Sequence, residues 1–418
     1  MRPLFVLIHR YLGLALAGFL VIAGLSGALL VFEHELDTAI NPHLMRVALP
    51  APDMAPMDAL TVREKVQARY PDARVHRVDL AVEPGEALSF RISRAAEASG
   101  NDQIFVNPYT GEILGERKWG DIGQGWTNLM PFIYRLHQSL ALDGTGTLVL
   151  GIVALLWFFD CFVGAYLTFP ARRKKPLTPA LSPLAGRGGH MWLARWRPAW
   201  KVRWLGGASK LNFDLHRAGG LWLWAMLAVL AWSSVGFNLK EVYRPVMNAA
   251  FTLQPSFRDL QKTAGPQPEP GIPWVEARSV GRALMEAEAR TRGFSVQKEQ
   301  NLSYDPKTAL YRYRVRSDRD VRDHGGSTSV WFDANTGERK AAYIPSGETS
   351  GDTIGSWLFA LHMAAIWGLP FKVFVVMTGL VVAMLSITGV YIWRNKSRAR
   401  AQYGACRLEN RIGRQIDR

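Results

Sequence analysis

The sequence predicts an internally duplicated membrane protein, a four-helix transmembrane bundle carrying two α+β domains on its outer side. Three observations predict it. Four apolar stretches are long enough to cross a bilayer, Lys and Arg crowd the segments on one side of them, and one order of motifs occurs twice. With 418 residues, 48% hydrophobic and 20% charged, the composition fits either a large soluble domain or several units joined by spans. The distribution of apolar residues decides between them.

A helical crossing takes about 20 apolar residues. Stretches 4–32, 147–169, 211–237 and 371–393 meet that length, the last three lightly interrupted, by Asp160 in the second, Arg217 in the third and Lys372 at the start of the fourth. The first has Arg2 ahead of an apolar core, as a secretory signal does. Its apolar run outlasts that of a signal, however, and LSGALLVFEHELD offers no small-x-small cleavage site, so an uncleaved anchor is expected.

Charge orients the spans. Residues 171–212 hold ten Lys or Arg and no Asp or Glu, beginning with ARRKK, and residues 394–418 hold eight basic against two acidic residues. Short loops rich in Lys and Arg stay in the cytoplasm. Both termini and the 171–212 loop are therefore expected inside a bacterial inner membrane, with 33–128 and 239–354 in the periplasm. The net charge of +15 gathers on the cytoplasmic face and suits anionic membrane lipid rather than nucleic acid. Cys161 and Cys406 belong to no CxxC or CxxCH pattern, which leaves no route to a covalently attached c-type haem.

The halves repeat. HRYLGLALAG at 9–18 matches HRAGGLWLWA at 216–225, IFVNPYTGEILGE at 104–116 matches VWFDANTGERKAA at 330–342, and YRLHQSLALDG at 134–144 matches FALHMAAIWGL at 359–369. In the second outer segment the spacing of Val280, Ala283, Leu284 and Ala287 predicts a helix over 275–292, and the alternation of LYRYRVRS at 310–317 predicts a strand. Tight turns are expected at the Thr-Gly pairs of 109–111 and 335–337, and the proline-rich stretch 264–273 reads as a linker.

In this duplicated order the chain resembles the PepSY-associated transmembrane proteins, and within them it is most similar to the haem-containing inner-membrane ferric-siderophore reductases. The organisation expected is a first transmembrane helix at 4–32 and a first PepSY-like domain at 53–120. An outer histidine segment with the second helix follows at 130–169, then a basic loop at 170–210 and a third helix at 211–238. The second PepSY-like domain is placed at 265–345, a second histidine segment with the fourth helix at 354–393, and a basic tail at 394–418.

Nine histidines occur, and four occupy matching repeat positions at the front of a membrane element. His9 and His216 each lie five residues past an inner boundary, Leu4 and Leu211, so they share a depth. His137 and His362 each precede a glycine-containing break, LDGTG and IWGLP, and an apolar run, which places both at the outer boundary. Two neutral imidazoles at one depth supply the two axial positions of a b-type haem, and a low-dielectric setting favours their neutral form. Two such haems, one per face, are expected, with irons about 20 Å apart across a hydrocarbon core of about 30 Å. Arg10 and Arg217 would then pair with propionates. His34 is the alternative outer ligand, but at 25 residues, about 37 Å of helix, from His9 it shares no haem with that residue. His43, His76, His190 and His324 read as solvated loop residues.

Other features carry competing readings. Asp160 is read as a hydrogen-bond partner of a ligand imidazole, as a proton-coupling group, or as a bond to a neighbouring helix. Glu33, Glu35 and Asp37 read as a solvated cap after the first span. Trp192, Trp196, Trp200 and Trp204, interleaved with basic residues, predict an interfacial amphipathic helix kinked at Pro198, ahead of a docking role for a donor protein. Trp126, Trp357 and Trp367 read as an aromatic belt or as the approach to the outer haem.

No nucleotide-binding motif accompanies the spans, since GRGG at 186–189 lacks a βαβ context. Electrons would therefore come from a cytoplasmic reductase or from quinol. The resemblance implies a ferric siderophore as acceptor, meeting the outer haem between His137 and His362 and releasing Fe(II) for iron uptake. Two alternatives stay open: a PepSY-type peptide- or protease-binding membrane protein without redox activity, and a haem-b carrier serving quinone or another periplasmic acceptor.

Overall fold

The computed structural model describes residues 1–49, 55–94, 100–171, 188–255 and 266–416, with the side chains of 188–191 and 403–416 excepted. Most of ARRKK, the start of GRGG, the start of the 264–273 linker and the side chain of His190 lie outside the described residues. The chain divides into two compact units, residues 1–29, 137–240 and 373–418 in one and residues 30–136 and 241–372 in the other.

Three helices of the membrane unit, Arg2–Leu30, Asp143–Thr168 and the span Gly368–Gln402, are long and apolar enough to cross a bilayer. The third expected span differs. It consists of two helices, Ala208–Trp222 and Trp224–Asn238, bent by 69° at Leu223. The break follows the Gly219-Gly220 pair, where helix propensity is lowest. Hydrogen bonds hold its two sides to different segments: Trp222 Nε1 donates to the Trp200 carbonyl and Trp224 Nε1 to the Cys161 carbonyl, both at 3.1 Å. The last helix also outruns its span, continuing through the basic tail to Ile416.

Without water, helices associate by close packing of small residues. Gly24 of the first helix and Gly379 of the last meet backbone to backbone. A Cβ built on either would lie 2.6 Å from the other's carbonyl oxygen. Hydroxyls inside the unit return to their own helix, Ser233 to the Val229 carbonyl at 2.6 Å and Ser386 to the Val382 carbonyl at 3.0 Å, which satisfies both donors.

The other unit is built on nine strands: β1 (Ala73–Val75), β2 (Arg77–Asp79), β3 (Leu88–Arg94), β4 (Gln103–Val106), β5 (Ile113–Arg117), β6 (Val296–Asp305), β7 (Leu310–Ser317), β8 (Thr328–Asp333) and β9 (Arg339–Tyr343). They form two antiparallel sheets, β1-β3-β4-β5 and β2-β6-β7-β8-β9. The two outer segments are therefore interlocked. Strand β2 of the first lies beside β6 of the second, with Val78 opposite Leu302. Helices Ala59–Arg69 and Trp274–Arg292 cover a continuous core in which Val62, Phe90 and Ile104 join Met285, Tyr311 and Phe332.

Both Thr-Gly turns close with the same hydrogen bonds. Asn107 Oδ1 accepts from Tyr109 N at 2.9 Å and Asp333 Oδ1 from Asn335 N at 2.8 Å, while Gly111 N and Gly337 N donate to the Asn107 and Asp333 carbonyls at 2.9 and 3.0 Å. Both glycines sit at positive φ, 76° and 74°, which side chains rarely tolerate.

The acidic group after the first span is only partly a solvated cap: Glu35 is exposed, whereas Asp37 is buried in a bidentate pair with Arg117 of strand β5, at 3.0 and 2.7 Å. Glu35 pairs with Lys372 and His34 with Glu86. His76 is half-buried beside Tyr304, its ring 6.4 Å away, rather than solvated, while His43 and His324 are exposed.

Glu299 ties β6 to the Trp274–Arg292 helix by accepting from Arg278, Arg282 and Tyr313. Burial alone would raise its pKa, but these hydrogen bonds outweigh it and hold the carboxyl at about 2 against an ordinary 4.5. A depressed carboxyl contributes stability that is complete above its unfolded value and is lost as pH falls through the folded one. Acid unfolding followed by tryptophan fluorescence should accordingly steepen from pH 4.5 down to about 2. Glu299→Gln should be less stable at neutral pH and lose that part of the slope; an unchanged slope would contradict the assignment.

Candidate functional site

Four helices of the membrane unit converge on one cavity of about 390 Å³. His9 and Arg10 come from the first helix, Asp160 and Gly164 from Asp143–Thr168, His216 and Arg217 from Ala208–Trp222, and Leu385, Gly389 and Lys396 from the last. Apolar side chains, among them Leu14, Trp157, Trp224 and Ile392, make up much of its wall.

The structure places His9 and His216 side by side, ring centres 6.0 Å apart and planes inclined by 59°. Each ring is held by its Nδ1. In His9 that nitrogen lies 3.0 Å from both Asp160 oxygens, and in His216 it lies 2.9 Å from the Leu385 carbonyl and 3.2 Å from Thr388 Oγ1. A carboxylate and a carbonyl only accept, so in both rings Nδ1 carries a hydrogen, and in the neutral tautomer Nε2 keeps its lone pair. The arrangement yields two imidazoles, each oriented through its Nδ1.

Glycine makes this fit. A Cβ at Gly164 would lie 3.3 Å from His9 Cε1, and one at Gly389 3.2 Å from His216 Cε1. Each imidazole thus sets its Cε1 edge against a helix at a position that carries no side chain. His137 repeats the device, with Nδ1 3.0 Å from Ser26 Oγ and Cε1 only 2.9 Å from a Cβ built on Gly27. The Ser26 hydroxyl donates to the Ile22 carbonyl at 2.6 Å, which leaves its oxygen free to accept from the ring. His362 is the last residue of the Ser350–His362 helix, half-buried, and belongs to the other compact unit.

Cations gather at the cavity: Arg2, Arg10, Arg217 and Lys396 all line it. Arg217 is anchored through Nη2 to the Pro198 carbonyl and to Asp214, which is fully buried and also takes Arg203, while its Nε is buried with no hydrogen-bond partner. Among the described residues, Arg10 and Lys396 have no carboxylate partner. The cavity therefore offers positive charge and a stranded donor to an anionic group. Among the described residues no three His, Cys, Asp or Glu side chains form a group that could hold a metal ion.

Of the readings for Asp160, the hydrogen bond to an imidazole is the one the structure supplies. The amphipathic tryptophan segment is a helix, Gly188–Trp196, followed by a 3-10 turn, Arg197–Trp200, that starts at Pro198's neighbour, and the Trp192, Trp196 and Trp200 rings stack in series at 5.3 and 5.1 Å. Trp126, Trp357 and Trp367 are exposed. Sequence reasoning missed the Leu385 carbonyl, Thr388, Ser26, Asp214 and the three glycines. A signal for two of the glycines exists in the repeat: VGAY at 163–166 and TGVY at 388–391 occupy corresponding places.

A family model described as PepSY-associated TM region matches residues 6–396. No curated protein matches the chain.

The glycine contacts are testable by thermal unfolding in detergent. Gly389→Val should lower stability by about 1–3 kcal/mol, the usual cost of overpacking. Gly18→Val, at a position with nothing within 4 Å, should stay within about 0.5 kcal/mol of wild type. Equal losses would remove the case for an imidazole seated on Gly389.

Proposed function

The chain belongs to the family of PepSY-associated transmembrane proteins, and from that premise we propose that it is an inner-membrane di-haem b oxidoreductase that passes electrons outward to a ferric siderophore. The observation that carries the reading is the His9–His216 pair. Two imidazoles that meet in one cavity would hold a haem iron between them. The two rings lie at 6.0 Å, on one cavity, each with Nε2 uncommitted. The residues present therefore fit a b-type haem at this place.

A b-type haem, when bound, supplies one-electron chemistry. The chain's residues do the rest. Asp160 and the Leu385 carbonyl orient their imidazoles through Nδ1. Arg10 and the spare Nε of Arg217 would hold propionates, and the apolar wall excludes water. His137, poised by Ser26 and Gly27, and His362, expected at the same depth, form the second axial pair of the proposal. The electron donor is a cytoplasmic reductase or quinol, with both termini and the basic loop on the cytoplasmic side.

The acceptor reading has a chemical logic. Hard oxygen donors hold Fe(III) far better than Fe(II), so one electron delivered to the chelate loosens its iron. The finer architecture belongs to the same proposal: two copies of anchor, outer α+β segment, histidine helix and second anchor, closing as a four-helix bundle. The identical hydrogen bonding of the two Thr-Gly turns supports it.

Protein purified in detergent from haem-supplied cells should show a Soret band that shifts on reduction with dithionite. His9→Ala and His216→Ala should each remove the same one of two haems. Reduced protein mixed with a ferric siderophore should reoxidise. A colourless, folded preparation would overturn the haem assignment, and a coloured one inert towards ferric chelates would overturn the acceptor.

A further inference from the structure

The five-stranded sheet presents a second chemistry on the face turned from its helix. Along β7, Tyr311, Tyr313 and Val315 are buried, so the alternation of the strand sends Arg312, Arg314 and Arg316 to the opposite face. The register sets Ser303 and Trp331 on either side of Arg312, and Asn301 and Ser329 on either side of Arg314. Strand β2 adds Arg77 opposite Ser303.

These four arginines are not equivalent. Arg77 is held by Asp79, and Arg316 by Gln297 and the Asp323 and Gly325 carbonyls. Arg312 lies over the Trp331 ring, 4.6 Å from its centre, and donates only to Ser329 Oγ, at 3.0 and 3.2 Å. Arg314 has its Nε buried with no hydrogen-bond partner. Among the described residues, no carboxylate comes within 4 Å of either Arg312 or Arg314. Asp79 and Asp320 act on Arg314 only through space, the first being bonded to Arg77 and the second to Ser317, Ser327 and Thr328. Burial first, then the like charges of Arg314 and Arg77, lower the pKa of Arg312. Desolvated guanidiniums without counter-charge are costly, and a bound anion is what would relieve them.

Beside Arg312 opens a cavity of about 430 Å³, its walls including Ser303, Trp331, Tyr343 and Asp305. The Asp305 carboxylate is engaged by its own turn, accepting from Lys307 N and Thr308 Oγ1, both at 3.0 Å. The walls thus offer the Arg312 guanidinium, hydroxyls and an indole face to one occupant, with Arg314 two residues further along the same strand face.

We propose that this cavity binds an oxygen-rich, multiply anionic small molecule, with Arg312 as the counter-ion on its wall, Arg314 as the next cation along the strand and Trp331 as the apolar wall. Resting on the function proposed above, the ligand class is the anionic ferric chelate itself, which makes this the docking place of the acceptor rather than part of the electron path. Selectivity would follow: chelates carrying net negative charge are held, and cationic ones are not.

Gallium(III) citrate, an anionic chelate that is not reduced under these conditions, is a suitable probe. Titrated into the full-length protein in detergent and followed by calorimetry, it should bind saturably, more weakly at high salt, and about tenfold more weakly in Arg312→Gln or Arg314→Gln. Lys340→Gln, which removes an exposed cation paired with Glu338, should bind as wild type does. Absence of binding, or equal binding by both arginine variants and wild type, would overturn the site. Citrate alone binding as tightly as its gallium complex would overturn the chelate assignment. The two proposals fail separately, because gallium binding by a protein without haem absorbance leaves this site standing and removes the electron-transfer reading, and a haem protein that ignores gallium citrate does the reverse.

Discussion

The membrane unit depends on hydrogen bonds made by imidazole Nδ1. In a hydrocarbon setting a polar ring with an unmet donor costs several kcal/mol, so each histidine must find an acceptor within the protein. His9 finds the Asp160 carboxylate, His216 the Leu385 carbonyl and Thr388, and His137 the Ser26 hydroxyl. Each bond holds its ring in one orientation, and in His9 and His216, where the partner only accepts, it places a hydrogen on Nδ1.

Packing permits that orientation because glycine stands beside each ring. Gly164, Gly389 and Gly27 lack the side chain that would occupy the imidazole's place, and Gly24 and Gly379 let the first and last helices touch through their backbones. The third crossing is divided at Leu223, and its first half, Ala208–Trp222, carries His216, Arg217 and Asp214 together. Asp214 sits fully buried between Arg203 and Arg217, so the cation beside the histidine is itself held in position, with one donor left over. The answer to why a chain would place His and Arg at the front of an apolar run is thus local: each is paired through one side and available through the other.

The outer unit obeys a different economy. Its two segments do not form separate cores, because β2 of the first extends the sheet of the second and apolar residues of both fill the same interior. Ion pairs there are numerous and mostly satisfied, including the buried Asp37–Arg117 pair. Against that background Arg312 and Arg314 stand out as cations that the fold has buried but not paired. Local alternation put them on one face, and only the arrangement of neighbouring strands withheld the carboxylates.

Much was legible beforehand. Hydropathy and the positions of Lys and Arg located the apolar helices, and period-two alternation located β7, because both patterns record a local periodicity against a uniform solvent. The matching places of His9 and His216 in the repeat put them at one depth. The break at Leu223, the sharing of a core by the outer segments and the burial of Asp37 were not legible, since each depends on a partner distant in the chain. The Leu385 carbonyl illustrates the limit most clearly. Every residue has a carbonyl, so nothing in the sequence marks the one that meets an imidazole. The sequence by itself determined that this is a membrane protein with apolar helices long enough to cross a bilayer, basic segments beside them and β-containing segments between them. Only the tertiary structure decided which acceptor each ring meets, which glycine it lies on and which arginines go unpaired, because those are contacts between helices and strands whose mutual placement no local pattern encodes.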